Sequence, residues 1–194
     1  ETLIGIDARL VQGLLGQLAR LFHRKGWSEK AIDVYNQLLA LAPGRADMLA
    51  ELGMVHYETG QIARAEQLFT QALQGGLARP DYVRGMRFFI RNQPDSALAA
   101  WERDKQQHPA DLVLLTNLGA VYFQQGDTAR AVARWESALA QNPLDPDLLN
   151  NLVFIYQAQH QPDRAARILQ NALAVQPDNA ELRAALQALQ PPTR

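Results

Sequence analysis

The sequence predicts an all-α protein built from stacked helix pairs. Three observations carry this expectation. The stretch LGAVYFQQGDTARAVARWESAL at residues 118–139 repeats the skeleton of LGMVHYETGQIARAEQLFTQAL, which lies 66 residues earlier. A shift of 34 residues brings Leu118 onto Leu152, Tyr122 onto Tyr156, Arg130-Ala131 onto Arg164-Ala165 and Pro143 onto Pro177. Within each copy the apolar residues recur at helical spacing, and nothing alternates at period two for long enough to be a strand.

The elements follow in order. Residues 1–11 extend the first helix. The first unit, 12–45, carries Leu18, Gly26, Ala31 and Leu39 at the offsets of Leu52, Gly60, Ala65 and Leu73 in the second unit, 46–77. Gly75-Gly76 absorbs a shortfall of about two residues, as glycine can. The third unit, 78–111, is worn. Gly85, Ala97, Trp101 and Pro109 keep their places, but Arg84 stands where Leu is usual and Asp104 where a small residue is usual. Charge at those two positions predicts the weak joint of the array.

The fourth unit, 112–145, has Leu114, Leu115, Leu118, Val121 and Tyr122 on one helix face, then a break at Gly126-Asp127. Its second helix carries Ala131, Trp135, Ala138 and Leu139 on one face. Asp127 reads as the N-cap of that helix, and Ser28 as the N-cap of the matching helix in the first unit. The fifth unit, 146–179, has Val153 where Gly is usual. Pro94 and Pro162 suit the first position of a helix, while Pro43, Pro109, Pro143 and Pro177 stop one. Gly53, Gly85 and Gly119, with Ala65, Ala97 and Ala131, let paired helices approach closely. A capping helix at 180–190, with Leu182, Leu186 and Leu189 inward, and a tail at 191–194 complete the chain.

Bulk composition narrows the function. The formal net charge of −1 lacks the basic excess that phosphate neutralisation needs, so nucleic acid is not an expected partner. No apolar run reaches the ~20 residues that span a bilayer, so direct membrane insertion of this segment is not expected. The absence of cysteine excludes thiolate catalysis and Cys-based metal sites. The chain starts with Glu1 rather than Met, which reads as a trimmed N-terminus and favours a periplasmic or membrane-tethered setting over the cytoplasm. Abundant Ala, Leu, Gln and Arg with scarce Lys give a bacterial flavour.

The Leu-Gly pair, the aromatic three residues on, the Ala, the large apolar residue four later, the Ala and the closing Pro resemble the tetratricopeptide repeat. Residues 12–179 carry five such units. The resemblance implies a right-handed superhelix with a concave groove that binds peptides or other proteins. It also implies that the first helix of each unit lines that groove. The inward positions are then Gly13, Gly16, Arg20, His23, Asp47, Ala50, Met54, Tyr57, Tyr82, Met86, Phe89, Thr116, Asn117, Phe123, Asn150, Asn151, Phe154 and Gln157. Tyr57, Tyr82, Met86, Phe89, Phe123 and Phe154 would make an apolar stripe, the mark of a binding surface if exposed and an extension of the core if closed. Asn117 and Asn151, at matching offsets, could pair with the backbone of a bound segment, and Asn150 belongs to the same groove. The basic positions of the carboxylate clamp hold Gly16, Tyr82 and Asp147 instead, which argues against recognition of an acidic C-terminus.

No catalytic motif is present. His23, His56, His108 and His160 lack metal-ligand spacing, and no phosphate-binding glycine pattern occurs. No enzyme activity, cofactor or metal is expected. Trp101 and Trp135 read as core. Trp27 is expected to cover the edge of the first helix pair. Arg79, Arg84, Arg87 and Arg91 suggest either a solvated face or an anion or acidic-peptide contact. The leading expectation is a non-catalytic module that binds a partner protein. The alternatives are a regulatory or substrate-guiding segment of a larger enzyme or assembly complex, and a self-associating scaffold.

Overall fold

The computed structural model describes residues 8–189; the expected N-terminal extension up to residue 7, Gln190 and the tail lie outside them. Among the described residues there are eleven helices and no strand. They are α1 (Ala8–Arg24), α2 (Ser28–Leu41), α3 (Ala46–Glu58), α4 (Ile62–Gln74), α5 (Pro80–Ile90), α6 (Pro94–Gln107), α7 (Leu112–Gln124), α8 (Thr128–Leu139), α9 (Pro146–Ala158), α10 (Pro162–Val175) and α11 (Ala180–Ala188). The chain forms two compact units that divide between Ala100 and Trp101, inside α6.

One turn geometry joins the two helices of every repeat. The amide of Gly26 donates to the His23 carbonyl, and that of Trp27 to the Phe22 carbonyl, closing the end of α1. The same pair of bonds recurs after α3, α5, α7 and α9. The turn needs one residue with positive φ. Gly26, Gly60 and Gly126 supply it, and Asn92 and His160 adopt it at φ of 55° and 57°. Glycine bears no steric penalty there, and asparagine a small one.

In the first unit, Ala19, Ala31, Val34, Tyr35, Leu38, Met48, Leu52, Val55 and Leu68 form one buried cluster across α1 to α4. Each large side chain among them contributes about 1.5–3 kcal/mol by leaving water. In the second unit the core runs through Leu114, Leu118, Trp135, Leu148, Leu152, Tyr156 and Leu169. Gly119 shows why a small residue stands there. A Cβ on it would lie 2.3 Å from Trp135 Nε1, whose N–H donates to the Thr116 carbonyl at 3.1 Å. Ala131, Ala138, Ala165 and Ala172 are fully buried. On α11 no residue is fully buried; Leu182 and Leu186, with Leu189 just after the helix, are half-covered.

Capping repeats along the chain only in part. Asp127 accepts from the Arg130 amide at 3.0 Å, as expected. Asp111, Asp145 and Asn179 cap α7, α9 and α11 in the same way. Ser28 is not a cap. It is the first helical residue of α2, and Trp27 occupies the N-cap position with no side-chain bond. Pro94 and Pro162 each open a helix.

The third repeat differs from the expectation of two buried charges. Arg84 is exposed and pairs with Asp81 at 2.9 Å. The buried face of α5 is instead Val83, Gly85 and Met86, rotated from the face that Leu52 and Leu118 use. Asp104 is buried, and His108 Nδ1 on the next turn lies 3.5 Å from its carboxylate.

Candidate functional site

On α1 the inward positions begin a polar lattice. Arg20 Nε donates to both oxygens of Glu51 at 3.0 and 2.9 Å, and the Tyr35 hydroxyl donates to the same carboxylate at 2.9 Å. Burial, then the Glu51 charge, pushes the Tyr35 hydroxyl well above its ordinary range. One turn on, His23 Nε2 stands 2.7 Å from Glu58 Oε2. That hydrogen bond raises the His23 pKa against the opposing effect of burial. These side chains tie α1 to α3, so they hold one another. Gly16 is buried against Leu38 and Met48, and Gly13 is exposed.

The neighbouring repeats form a concavity. A cavity of about 290 Å³ lies between α3, α4 and α5, with Ala50, Met54, Phe69, Leu77, Tyr82 and Val83 as its apolar walls. Asp47 and Glu51 stand at one side, and Arg79 at the other. Arg45 holds Asp47 through hydrogen bonds at 2.8 and 2.6 Å, which keep its pKa below the usual carboxylate value. The guanidinium of Arg79 lies 5.0 Å over the Tyr82 ring. A ring held in this way is already ordered, so less freedom is lost when a ligand covers it. Next to it, Tyr57 and Phe89 meet edge to face at 6.2 Å, both half-buried. Met86 is only 2% exposed and belongs to the core, so it is not part of a reachable stripe.

In the second unit the reachable residues are different. Phe154 is 63% exposed and Phe123 41%. Phe123 also leans on Trp135 at 5.7 Å, so part of its ring serves the core. Asn150 and Asn151 are exposed and Asn117 is half-buried. Asn150 also lines a cavity of about 180 Å³ shared with α11.

Three of the arginines near α5 have separate partners. Arg79 stacks on Tyr82, Arg84 pairs with Asp81, and Arg91 Nε donates to Glu66 at 2.5 Å. Arg87 is half-buried, and its Nε has no hydrogen-bond acceptor among the described residues. Trp27 packs on Phe22 at 5.6 Å, with the Lys30 ammonium 4.8 Å over its ring, at the edge of the first helix pair.

Sequence reasoning missed a polar arrangement that recurs in the second unit. The Tyr122 hydroxyl donates to Glu102 at 2.9 Å, and Arg134 reaches the same carboxylate at 3.1 Å. One period later Tyr156 donates to Glu136 at 2.5 Å, and Arg164, the counterpart of Arg130 rather than of Arg134, reaches that carboxylate at 3.2 Å. Arg130 and Arg164 also cover the rings of Tyr122 and Tyr156, at 4.5 and 4.4 Å. The visible signal was the shared 34-residue spacing of Glu102 with Glu136, Tyr122 with Tyr156 and Arg130 with Arg164.

Among the described residues no cluster of His, Asp and Glu could hold a metal ion, and no helix is long and apolar enough to cross a membrane. Comparison with known proteins bears on the fold. The solved structure of a tetratricopeptide repeat protein from Parabacteroides merdae superposes with a TM-score of 0.67 at 24% identity, over 92% of this chain and 70% of that one. The structure of YrrB, described as a tetratricopeptide repeat protein with an unusual peptide-binding site, gives a TM-score of 0.53 at 24% identity, over 89% of this chain and 88% of that one. A Bos taurus protein, BBSome complex member BBS4, is 27% identical over 113 residues, 58% of this chain; the match spans only 22% of that relative's length. The family profile described as tetratricopeptide repeat matches residues 28–84 and 122–189, more than half of the chain. With its helix pairs, shared turns and 34-residue period, the chain belongs to the tetratricopeptide repeat family.

Proposed function

We propose that this chain is a non-catalytic protein-interaction module, and that it grips a peptide segment or helix of a partner on the first-helix side of its repeats. The observation that carries this reading is the cavity between α3, α4 and α5, open and walled by Ala50, Met54, Leu77 and Tyr82. Apolar walls with a few fixed polar groups at the rim suit an aliphatic or aromatic anchor of a partner. Tyr57, Phe89, Asn117, Phe123, Asn150, Asn151 and Phe154 are the further contact residues on this reading. Asn150 and Asn151 would pair with the partner's backbone. Phe154 offers a large exposed ring.

Peptide display on the purified chain tests this. Selected peptides should lose about ten-fold or more in affinity on Tyr82→Ala or Met54→Arg, since central anchors carry about 2 kcal/mol or more. Selected peptides that bind both variants as well as the parent would place recognition elsewhere. A second reading is a scaffold segment inside a larger assembly. It draws on the match to a fraction of a protein described as a complex member.

A further inference from the structure

The walls and rim of the cavity between α3, α4 and α5 select among the side chains that could enter it. Its floor is buried, at Phe69 and Val83, and its walls are the half-buried Ala50, Met54, Leu77 and Tyr82. Its volume is about 290 Å³. An engineered apolar cavity of about 150 Å³ already holds benzene. One leucine or valine side chain would therefore leave much of this space empty, and a void forfeits the dispersion contacts of its lining. A bicyclic ring fills it better. The lining also suits an aromatic guest, through the Met54 thioether and the rings of Phe69 and Tyr82.

The rim sets the polarity of that guest. Asp47 and Glu51 stand one turn apart on α3, and both line the cavity. Each already has its donors. Arg45 holds Asp47, while Arg20 and Tyr35 hold Glu51. A further cation would find both charges compensated, with Arg79 on the facing side to repel it. An anion would meet two carboxylates. What the rim still offers is an acceptor. Glu51 Oε1 receives one hydrogen bond, from Arg20 Nε at 3.0 Å, and a carboxylate oxygen can accept two. A neutral donor answers it. Tyrosine is smaller and would bring acceptor lone pairs against the carboxylates, whereas the indole of tryptophan is a donor only.

We propose, resting on the reading of this concavity as the partner-binding site, that its guest is a tryptophan side chain of the partner segment. The indole fills the cavity, and its ring N–H donates to Glu51 Oε1. Segments anchored by leucine or valine are the weaker ligands.

The probes are N-acetyl-tryptophanamide, N-acetyl-leucinamide and N-acetyl-3-(3-benzothienyl)alaninamide, in which sulfur replaces the ring N–H at nearly the same size. Each is titrated into the whole chain while NMR follows the methyl signals of Met54 and Leu77. The tryptophan probe should shift both signals saturably. It should bind at least about five-fold more tightly than the leucine probe, from the larger apolar area it covers. The benzothienyl probe should be weaker than the tryptophan probe by at least about three-fold, from the lost donor. Equal affinity of the leucine or the benzothienyl probe, with the same two signals shifting, would overturn the proposal and leave the cavity a binding site of another specificity. Absence of saturable shifts with all three probes would overturn both the proposal and the reading of the cavity as a binding site.

Discussion

Tyr156 and Glu136 belong to different repeats, and the hydroxyl of one donates to the carboxylate of the other at 2.5 Å. Burial and the Glu136 hydrogen bond push the Tyr156 hydroxyl far above its ordinary pKa, so it remains a donor at any physiological pH. Tyr156→Phe should lower stability by about 1–3 kcal/mol, the range for a bond to a charged group whose partner stays behind. Chemical denaturation checks this. A double-mutant cycle with Glu136→Gln should show clear coupling, and additive effects would mean that the bond contributes nothing of its own.

Gly119→Ala should be destabilising even though alanine is the better helix former. The new Cβ would stand 2.3 Å from Trp135 Nε1, inside a packed helix pair. Overpacking of this kind costs about 1–3 kcal/mol, against the ~1 kcal/mol that alanine gains in a helix. An unchanged or raised thermal midpoint would show that Trp135 can move aside freely.

His23 gives one part of the stability a defined pH dependence. Its folded pKa lies above the ordinary 6.5 because of Glu58. The folded state therefore binds the proton more tightly than the unfolded chain. The contribution is complete below pH 6.5 and fades as pH rises through the raised folded value. His23→Gln should flatten the thermal midpoint across that window. Glu102 works in the opposite direction. Burial tends to raise its pKa, but hydrogen bonds from Lys105 and Tyr122 and the charge of Arg134 bring it below 4.5. Its contribution is present above pH 4.5 and is lost on acidification through the lowered value.

Gln161→Asp should stabilise α10. Gln161 occupies the N-cap position without a side-chain bond to the helix amides, while Asp127 at the same offset caps α8. A good cap in place of a poor one adds about 0.5–2 kcal/mol. Asp127→Ala should lose a similar amount, and thermal denaturation of both variants measures the pair.

The architecture was legible because it rests on short-range rules applied repeatedly. Gly126 breaks a helix wherever the chain is read, and Gly119 opposite Trp135 follows from their common period. The rotated face of α5 was not legible. Arg84 occupies the Leu118 offset, yet Val83 and Met86 supply the buried side chains, and only packing decides between two adjacent faces of one helix. The same fact removed Met86 from the reachable surface. The tie between Glu136 and Tyr156 was hidden for another reason. Polar residues 20 positions apart carry no local signal, and the pairs at the corresponding offsets earlier in the chain, Asn36 with His56 and Thr70 with Phe88, do not repeat the carboxylate and the tyrosine.

The tie has a consequence for how such a chain can change length. Residues 112–145 hold Tyr122 and Arg130 near the start and Glu136 near the end, so each such module is a socket at one side and a plug at the other. Tandem duplication of this stretch would set a Glu136 against a new Tyr122, and the last copy would still meet Tyr156. Growth by whole modules thus leaves no Glu136 carboxylate without a donor. An insertion of any other length inside the module would part plug from socket.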